Sequence, residues 1–281
     1  MKKHSGQFVQ TEKRRIAFGA KRARKPLREA ERILIKMPNW RGDAVMSLPA
    51  IEHLRRLFPH AWVACLIKKN LADLLRNNDA VNAVIQYHHG QGVVALNRKV
   101  ETIRRLRRKS FDLAVLLTNS FESALWMYSA GIPLRLGYNT AGRSLLLTHA
   151  VRPKPSSVHQ IRYYIGLCKA LGEAGDSGAP GVRIPSREKE WAEDFLRSIG
   201  FPTDDLLVGL CPGAAYGSAK RWLPGRFIEV SRRIREDYHA KFAVFGGKGD
   251  AQPCALVADG IGQAAINLCR KTTLKEFAAL V

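Results

Sequence analysis

Acidic residues are scarce in this sequence: 24 Asp and Glu stand against 46 Lys and Arg, for a net charge of +22. That imbalance favours polyanionic partners, whether nucleic acid, anionic lipid or phosphorylated sugar. Long apolar runs are also lacking, so no segment is expected to span a bilayer. Lys and Arg break every apolar run near the amino terminus, which leaves no signal-peptide core and points to the cytoplasm. The five cysteines (65, 168, 211, 254 and 269) are odd in number and form no CxxC pair or Cys/His cluster. A disulfide framework and a zinc site are therefore not expected. Asp204-Asp205 is not a spaced ligand pair and no Mg²⁺ cluster stands out, so no metal is expected. The turn from Pro38 to Asp43 lacks GxGxxG, which argues against a nicotinamide-dependent oxidoreductase. No helix-turn-helix, RRM or zinc-finger signature supports a nucleic-acid-binding protein.

What is present is a globular composition, 46 % apolar and 25 % charged over 281 residues, enough for one large domain or two ordinary ones. Residues 1–30 stand apart. Ten basic side chains there face only Glu12 and Glu29, and apolar patterning is weak, so a disordered basic tail is expected. Such a tail suits anionic head groups or nucleic acid, or merely solubility.

From residue 32, short apolar runs alternate with amphipathic stretches. Strands are predicted at 33–37, 61–67, 81–87, 111–117 and 132–138. The helix after the first strand places Val45, Leu48, Ile51, Leu54, Leu57 and Phe58 on one face, and Pro49 either starts or kinks it. Further helices are predicted at 71–76, 99–109 (strongly basic), 121–130 and 159–171. This alternation predicts a parallel, doubly wound sheet in a domain spanning 31–172. Gly and Pro mark a linker at 173–185. A second α/β unit, 186–281, follows, with helices at 188–199, 224–238, 251–259 and from 273, and strands at 207–210, 241–245 and 264–268. Two such units are expected to face each other across a cleft.

The densest motif is Cys211-Pro212-Gly213-Ala214-Ala215-Tyr216-Gly217-Ser218-Ala219-Lys220-Arg221-Trp222, between a strand and a helix. Backbone N–H groups at the carboxyl end of a strand and at a helix start favour anions. Gly213 and Gly217 permit close backbone approach, and Lys220 adds a point charge. This reads as a diphosphate cradle; an ordinary βα turn is the alternative. Cys211 is expected to be a buried strand-end thiol.

The segments Asn39-Trp40-Arg41-Gly42-Asp43-Ala44-Val45-Met46-Ser47-Leu48-Pro49-Ala50-Ile51, Gly142-Arg143-Ser144-Leu145-Leu146-Leu147-Thr148-His149, Cys211-Pro212-Gly213-Ala214, Ala219-Lys220-Arg221-Trp222 and Asn267-Leu268 with Lys271-Thr272-Thr273-Leu274 resemble the ADP-heptose:lipopolysaccharide heptosyltransferase family, glycosyltransferase family 9. The heptosyltransferase II branch is the nearest. The resemblance covers about residues 32–281. It implies a GT-B fold and an inverting, metal-independent transfer of heptose from ADP-heptose to the lipid A–core acceptor of lipopolysaccharide. The work would occur at the cytoplasmic face of the inner membrane, with peripheral contact to anionic lipid.

On this resemblance Asp43 is the catalytic base, although its position also suits a helix cap. Lys220, Gly213, Ala214, Ser218 and Gly246 fall on the donor side. Gly42, Asn119, Ser120 and Arg143 fall on the acceptor side, with an N-cap as the alternative for Ser120 and an ordinary surface arginine as the alternative for Arg143. The family pattern continues beyond Leu280-Val281 into an Asp-Ser/Thr-Gly-x-x-His segment, so the second domain is expected to be incomplete at its carboxyl end. A non-catalytic, nucleotide-binding relative is the further alternative.

Overall fold

A computed structural model describes residues 26–88, 90, 92–153, 158–173, 178–201, 206–215 and 217–281. Residues 1–25 of the expected tail and Asp204-Asp205 lie outside the described residues. The chain divides into two compact units, Met1–Arg183 and Ile184–Val281. Each is built on an all-parallel sheet.

In the first unit, local structure is already present ahead of residue 32. Leu27–Glu29 form a 3-10 turn and Ala30 is buried, since it has a core to pack on. The strands are β1 (Arg32–Lys36), β2 (Trp62–Lys68), β3 (Ala83–Tyr87), β4 (Leu113–Leu116), β5 (Leu134–Tyr138) and β6 (His149–Val151), in the order β3-β2-β1-β4-β5-β6. β6 answers to none of the expected strands; three residues are too few for a periodic signal. The central strands β1 and β4 are buried on both faces, as a covered parallel sheet requires.

Helices α3 (Val93–Arg108) and α4 (Phe121–Ser129) cover one face, closing a core of Leu34, Leu66, Tyr87, Leu106, Phe111 and Trp126. Helices α2 (Leu48–Leu57) and α5 (Gln160–Cys168) pack on each other. The single helix expected after β1 is in fact two. A short α1 (Arg41–Met46) ends at Ser47, whose Oγ donates to the Ala44 carbonyl at 2.7 Å. The chain restarts at Leu48 with Pro49 in the first turn, where a missing N–H costs nothing.

The second unit orders β7 (Leu207–Leu210), β8 (Lys241–Val244) and β9 (Ala265–Asn267) side by side. The period of two along β8 serves both faces. Phe242 and Val244 pack with α7 (Pro224–Tyr238) and α8 (Ala251–Ile261), while Ala243 and Phe245 pack with α6 (Ser186–Ser198) and α9 (Leu274–Leu280). Thr273 caps α9 in a capping box with Glu276.

Two buried cations anchor the first unit's loops. Lys36, at the end of β1, donates from Nζ to the Tyr87 hydroxyl at 2.9 Å, the Met37 carbonyl at 3.0 Å and Asn39 Oδ1 at 3.3 Å. The Tyr87 hydroxyl donates in turn to Asn39 Oδ1 at 2.6 Å. Burial, helped by Lys68 and opposed by Glu122, pulls the Lys36 ammonium down to about 7.

Arg143 overturns its surface-arginine reading. It is fully buried and so is no surface arginine. Its Nε donates to the Tyr138 carbonyl at 2.9 Å, its Nη1 to the Thr118 carbonyl, and its Nη2 to Asn119 Oδ1 at 3.3 Å. A planar fork can tie the ends of β4 and β5 together in this way.

Replacing Arg143 by Met leaves the Thr118 carbonyl without its buried donor and takes from the Tyr138 carbonyl one of its two. We expect a loss of about 3 kcal/mol or more from the first unit in urea titration, with Arg143→Lys rescuing little of it. Unchanged stability of Arg143→Met would refute the clamp. For Lys36, the unfolded chain holds the proton up to about 10.5 and the folded chain releases it near 7. The unfolded state therefore binds more protons between these values, and stability from this group rises with pH across that window. Lys36→Met lacks this slope. The stability of wild type relative to Lys36→Met should grow by on the order of 1 kcal/mol or more between pH 7 and pH 10; a flat difference refutes the assignment.

Candidate functional site

Strand order reverses between β1 and β4, and open α/β sheets bind ligands beyond the strand carboxyl ends at such a point. Residues 37–43 leave β1 there and residues 117–120 leave β4. Gly42, Asp43, Asn119 and Ser120 therefore gather at one edge of the sheet. Asp43 is half-buried in the first turn of α1, and its Oδ1 accepts from the Tyr164 hydroxyl at 3.2 Å. The helix-cap alternative for Asp43 is overturned: Trp40 holds the N-cap position, and Asp43 lies inside the first turn. Its carboxylate is thus not spent on backbone N–H groups. Gly42 is exposed, and a Cβ built there would meet nothing within 4 Å.

Tyr164 escaped the sequence reading, because an aromatic on a helix reads as core. α5 carries it to Asp43 across 121 residues of sequence. Burial pushes its hydroxyl up, offset in part by a hydrogen bond to Gln160, so the proton stays on Tyr164 and is donated to the carboxylate. Lys36 escaped too, although a lysine inside the apolar run 33–37 was a visible signal. Asn119 is exposed, and its Nδ2 donates to the Tyr163 hydroxyl at 2.9 Å. Ser120 is the N-cap of α4, its Oγ accepting from the Ser123 N–H at 3.3 Å.

In the second unit the loop after β7 carries the motif. Lys220 is exposed in the 3-10 turn Ser218–Lys220, three residues ahead of the Leu223 cap of α7. The Ser218 side chain lies outside the described residues. Arg221 Nη2 reaches the Ala214 carbonyl at 3.5 Å, which braces the loop across its own width.

The reason for two glycines differs from the sequence reading. A Cβ at Gly213 would sit 2.1 Å from Asp250 Cγ, so the close neighbour that this glycine admits is the Asp250 side chain. A Cβ at Gly246 would lie 2.5 Å from Cys254 Sγ and 2.9 Å from Asp250 Cβ. Asp250 in turn accepts from the Gly247 N–H at 2.9 Å. Cys211 is exposed, contrary to expectation. Desolvation and then the Asp250 carboxylate push its thiol up, the direction away from a reactive thiolate.

A cavity of about 480 Å³, lined by Arg232, Arg235, Glu236, His239, Ala240 and Lys241, lies at the carboxyl end of α7. It is at the opposite edge of the sheet from the glycine loops, so it is no part of the candidate site. Among the described residues no group of three or more His, Cys, Asp or Glu is placed to hold a metal ion, and no helix is long and apolar enough to cross a membrane.

Residues 100–281 match the glycosyltransferase family 9 (heptosyltransferase) pattern. Lipopolysaccharide heptosyltransferase 2 of Escherichia coli K12 is 28 % identical over 227 residues, and that of Salmonella typhimurium LT2 is 31 % identical over 225. Each alignment covers 78 % of this chain and 64 % of the relative, so the chain spans less than two thirds of their length. A solved family 9 glycosyltransferase from Veillonella parvula superposes with a TM-score of 0.78 at 21 % identity, covering 89 % of this chain and 72 % of that one. The E. coli ADP-heptose lps heptosyltransferase II does so with 0.75 at 25 %, covering 89 % and 76 %. The fold is of the GT-B type that the resemblance implied, two Rossmann-like α/β units. Matched over well over half its residues, the chain belongs to glycosyltransferase family 9, the heptosyltransferase family.

Proposed function

We propose that this chain transfers heptose from ADP-heptose to the inner core of lipopolysaccharide, with inversion at the anomeric carbon. The relatives named above support the donor and acceptor classes, since their names specify a lipopolysaccharide heptosyltransferase and ADP-heptose. The observation that carries the chemistry is Asp43. It is a half-buried carboxylate at the switch point of the first sheet, oriented by Tyr164 and unused as a cap. Inverting transfer needs a base that takes the acceptor hydroxyl proton as its oxygen attacks the anomeric carbon. Asp43 fills that role, with Gly42, Asn119 and Ser120 bordering the acceptor. Arg143 serves the same edge indirectly, by holding Asn119.

As the bond to the sugar breaks, negative charge builds on the departing diphosphate. Fixed donors offset it best where water is excluded. Lys220, the backbone N–H groups of Gly213 and Ala214 and the Ser218 hydroxyl supply them, with Gly246 beside the nucleotide. This assigns the electrophilic work to an ammonium and to amide dipoles. The reaction takes place at the cytoplasmic face of the inner membrane, with the chain in peripheral contact with anionic lipid.

Asp43→Asn should cut turnover by about 10²–10⁴-fold while leaving ADP affinity within about twofold; full turnover of that variant refutes the base. Isothermal titration of ADP into Lys220→Ala should show a Kd raised about tenfold or more, as loss of a charge-assisted contact implies. Equal affinities would remove Lys220 from the donor site. Turnover is expected to persist in EDTA.

A further inference from the structure

We propose that the outward face of α3 and α4 is a docking surface for an anionic lipid bilayer. Four aliphatic side chains of α3 face away from the core: Val93, Val94, Leu96 and Val100, with Val93 75 % exposed and Leu96 59 %. On α4, Phe121, Leu125 and Tyr128 are exposed at a spacing of four and three residues, which aligns them on one side of the helix. Lys99, midway along α3, pairs with Glu122 in the first turn of α4 at 2.5 Å, and Arg107 Nη2 reaches the Ser129 carbonyl at 2.6 Å near the ends of both helices. The two helices therefore lie parallel and side by side. That brings Val100 level with the first turn of α4, with Val93, Val94 and Leu96 continuing the apolar surface along the earlier turns of α3.

Apolar side chains exposed on this scale mark a partner surface. Its charge says which partner. α3 carries Arg98, Lys99, Arg104, Arg105, Arg107 and Arg108 against Glu101 alone. Arg105 and Arg107 are committed to the carbonyls of Gln86 and Ser129, which leaves exposed Arg104 and Arg108 toward solvent on the outer face. Aliphatic and aromatic side chains flanked by arginine suit the boundary between acyl chains and anionic head groups. A second copy of the chain fits poorly: a two-fold contact would set Arg104 and Arg108 against themselves on a protein already at +22. Aliphatic side chains also offer bases no stacking platform, which disfavours nucleic acid.

The apolar residues Val93, Val94, Leu96 and Phe121 lie in the first turns of their helices. That is the carboxyl edge of the sheet, where Asp43 and Asn119 also lie. Docking there would bring a lipid-anchored acceptor to the reactive edge; this last step rests on the heptosyl-transfer reading, whereas the docking itself does not.

The test is sedimentation of the full chain with sucrose-loaded vesicles at about 0.15 M salt, where distant charges are screened. Wild type should partition onto vesicles containing phosphatidylglycerol and not onto pure phosphatidylcholine. Leu96→Glu/Val100→Glu/Leu125→Glu should lose about tenfold or more in partition. Arg104→Glu/Arg108→Glu should lose about 30-fold or more, as two head-group attractions are removed. All the altered positions are exposed, so both variants should melt as wild type does, and the arginine variant alone decides the matter if the first does not fold. Binding by both variants equal to wild type, as the basic residues 1–25 alone would produce, overturns the proposal. So does equal binding to zwitterionic vesicles, a dimer in light scattering that the variants dissociate, or duplex DNA binding lost in the variants without any vesicle binding. Because no heptose transfer is measured, failure here leaves the catalytic reading standing, and an inactive Asp43 would leave docking intact.

Discussion

A parallel sheet covered on both faces leaves its chain one place to gather polar groups: the edge where strands end and helices begin. Parallel strands joined by helical crossovers favour the right hand. The chain walks outward from β1 to β3 and then returns through α3 to β4. This single reversal places the segments after β1 and β4 side by side. Asp43, Asn119 and Ser120 are neighbours for that topological reason, although about 76 residues of sequence separate the first two.

The edge is held by buried cations as well as by the sheet. Lys36 and Arg143 direct their N–H groups at carbonyls and amides of the segments that leave β1, β4 and β5. Burying charge is costly unless the donors are satisfied. Here the satisfied acceptors are the backbone of the loops that carry the candidate site. In the second unit, a carboxylate does comparable work. Asp250 fills the space over Gly213 and accepts from Gly247, so it shapes two of the three strand-end loops at once.

The order of strands and helices was legible from apolar spacing, although α3 starts at Val93 where 99 was expected, the helix expected at 71–76 is the 3-10 segment Lys69–Leu75, and two further features were missed. β6 is too short to leave a pattern, and the helix after β1 breaks in two at Ser47. Pro49 announced a break, but only the Ser47 side chain bonding back to Ala44 placed it. Side-chain environments were less legible. Arg143 was expected at the surface and lies in the core, because an arginine can be buried wherever several carbonyls converge, and convergence is not a property of local sequence. Cys211 was expected inside and lies exposed.

The sequence by itself determined the alternation of elements, the basic balance, the loop motifs and, through them, the family. Those features depend on local periodicity and on which residues sit at strand ends. The tertiary structure alone decided that Tyr164 faces Asp43, that Gly213 makes room for Asp250, and that α3 and α4 join their exposed apolar residues into one surface. Each of these is a meeting of side chains far apart along the chain. Such meetings follow from crossover handedness and packing, which spacing along the sequence does not encode.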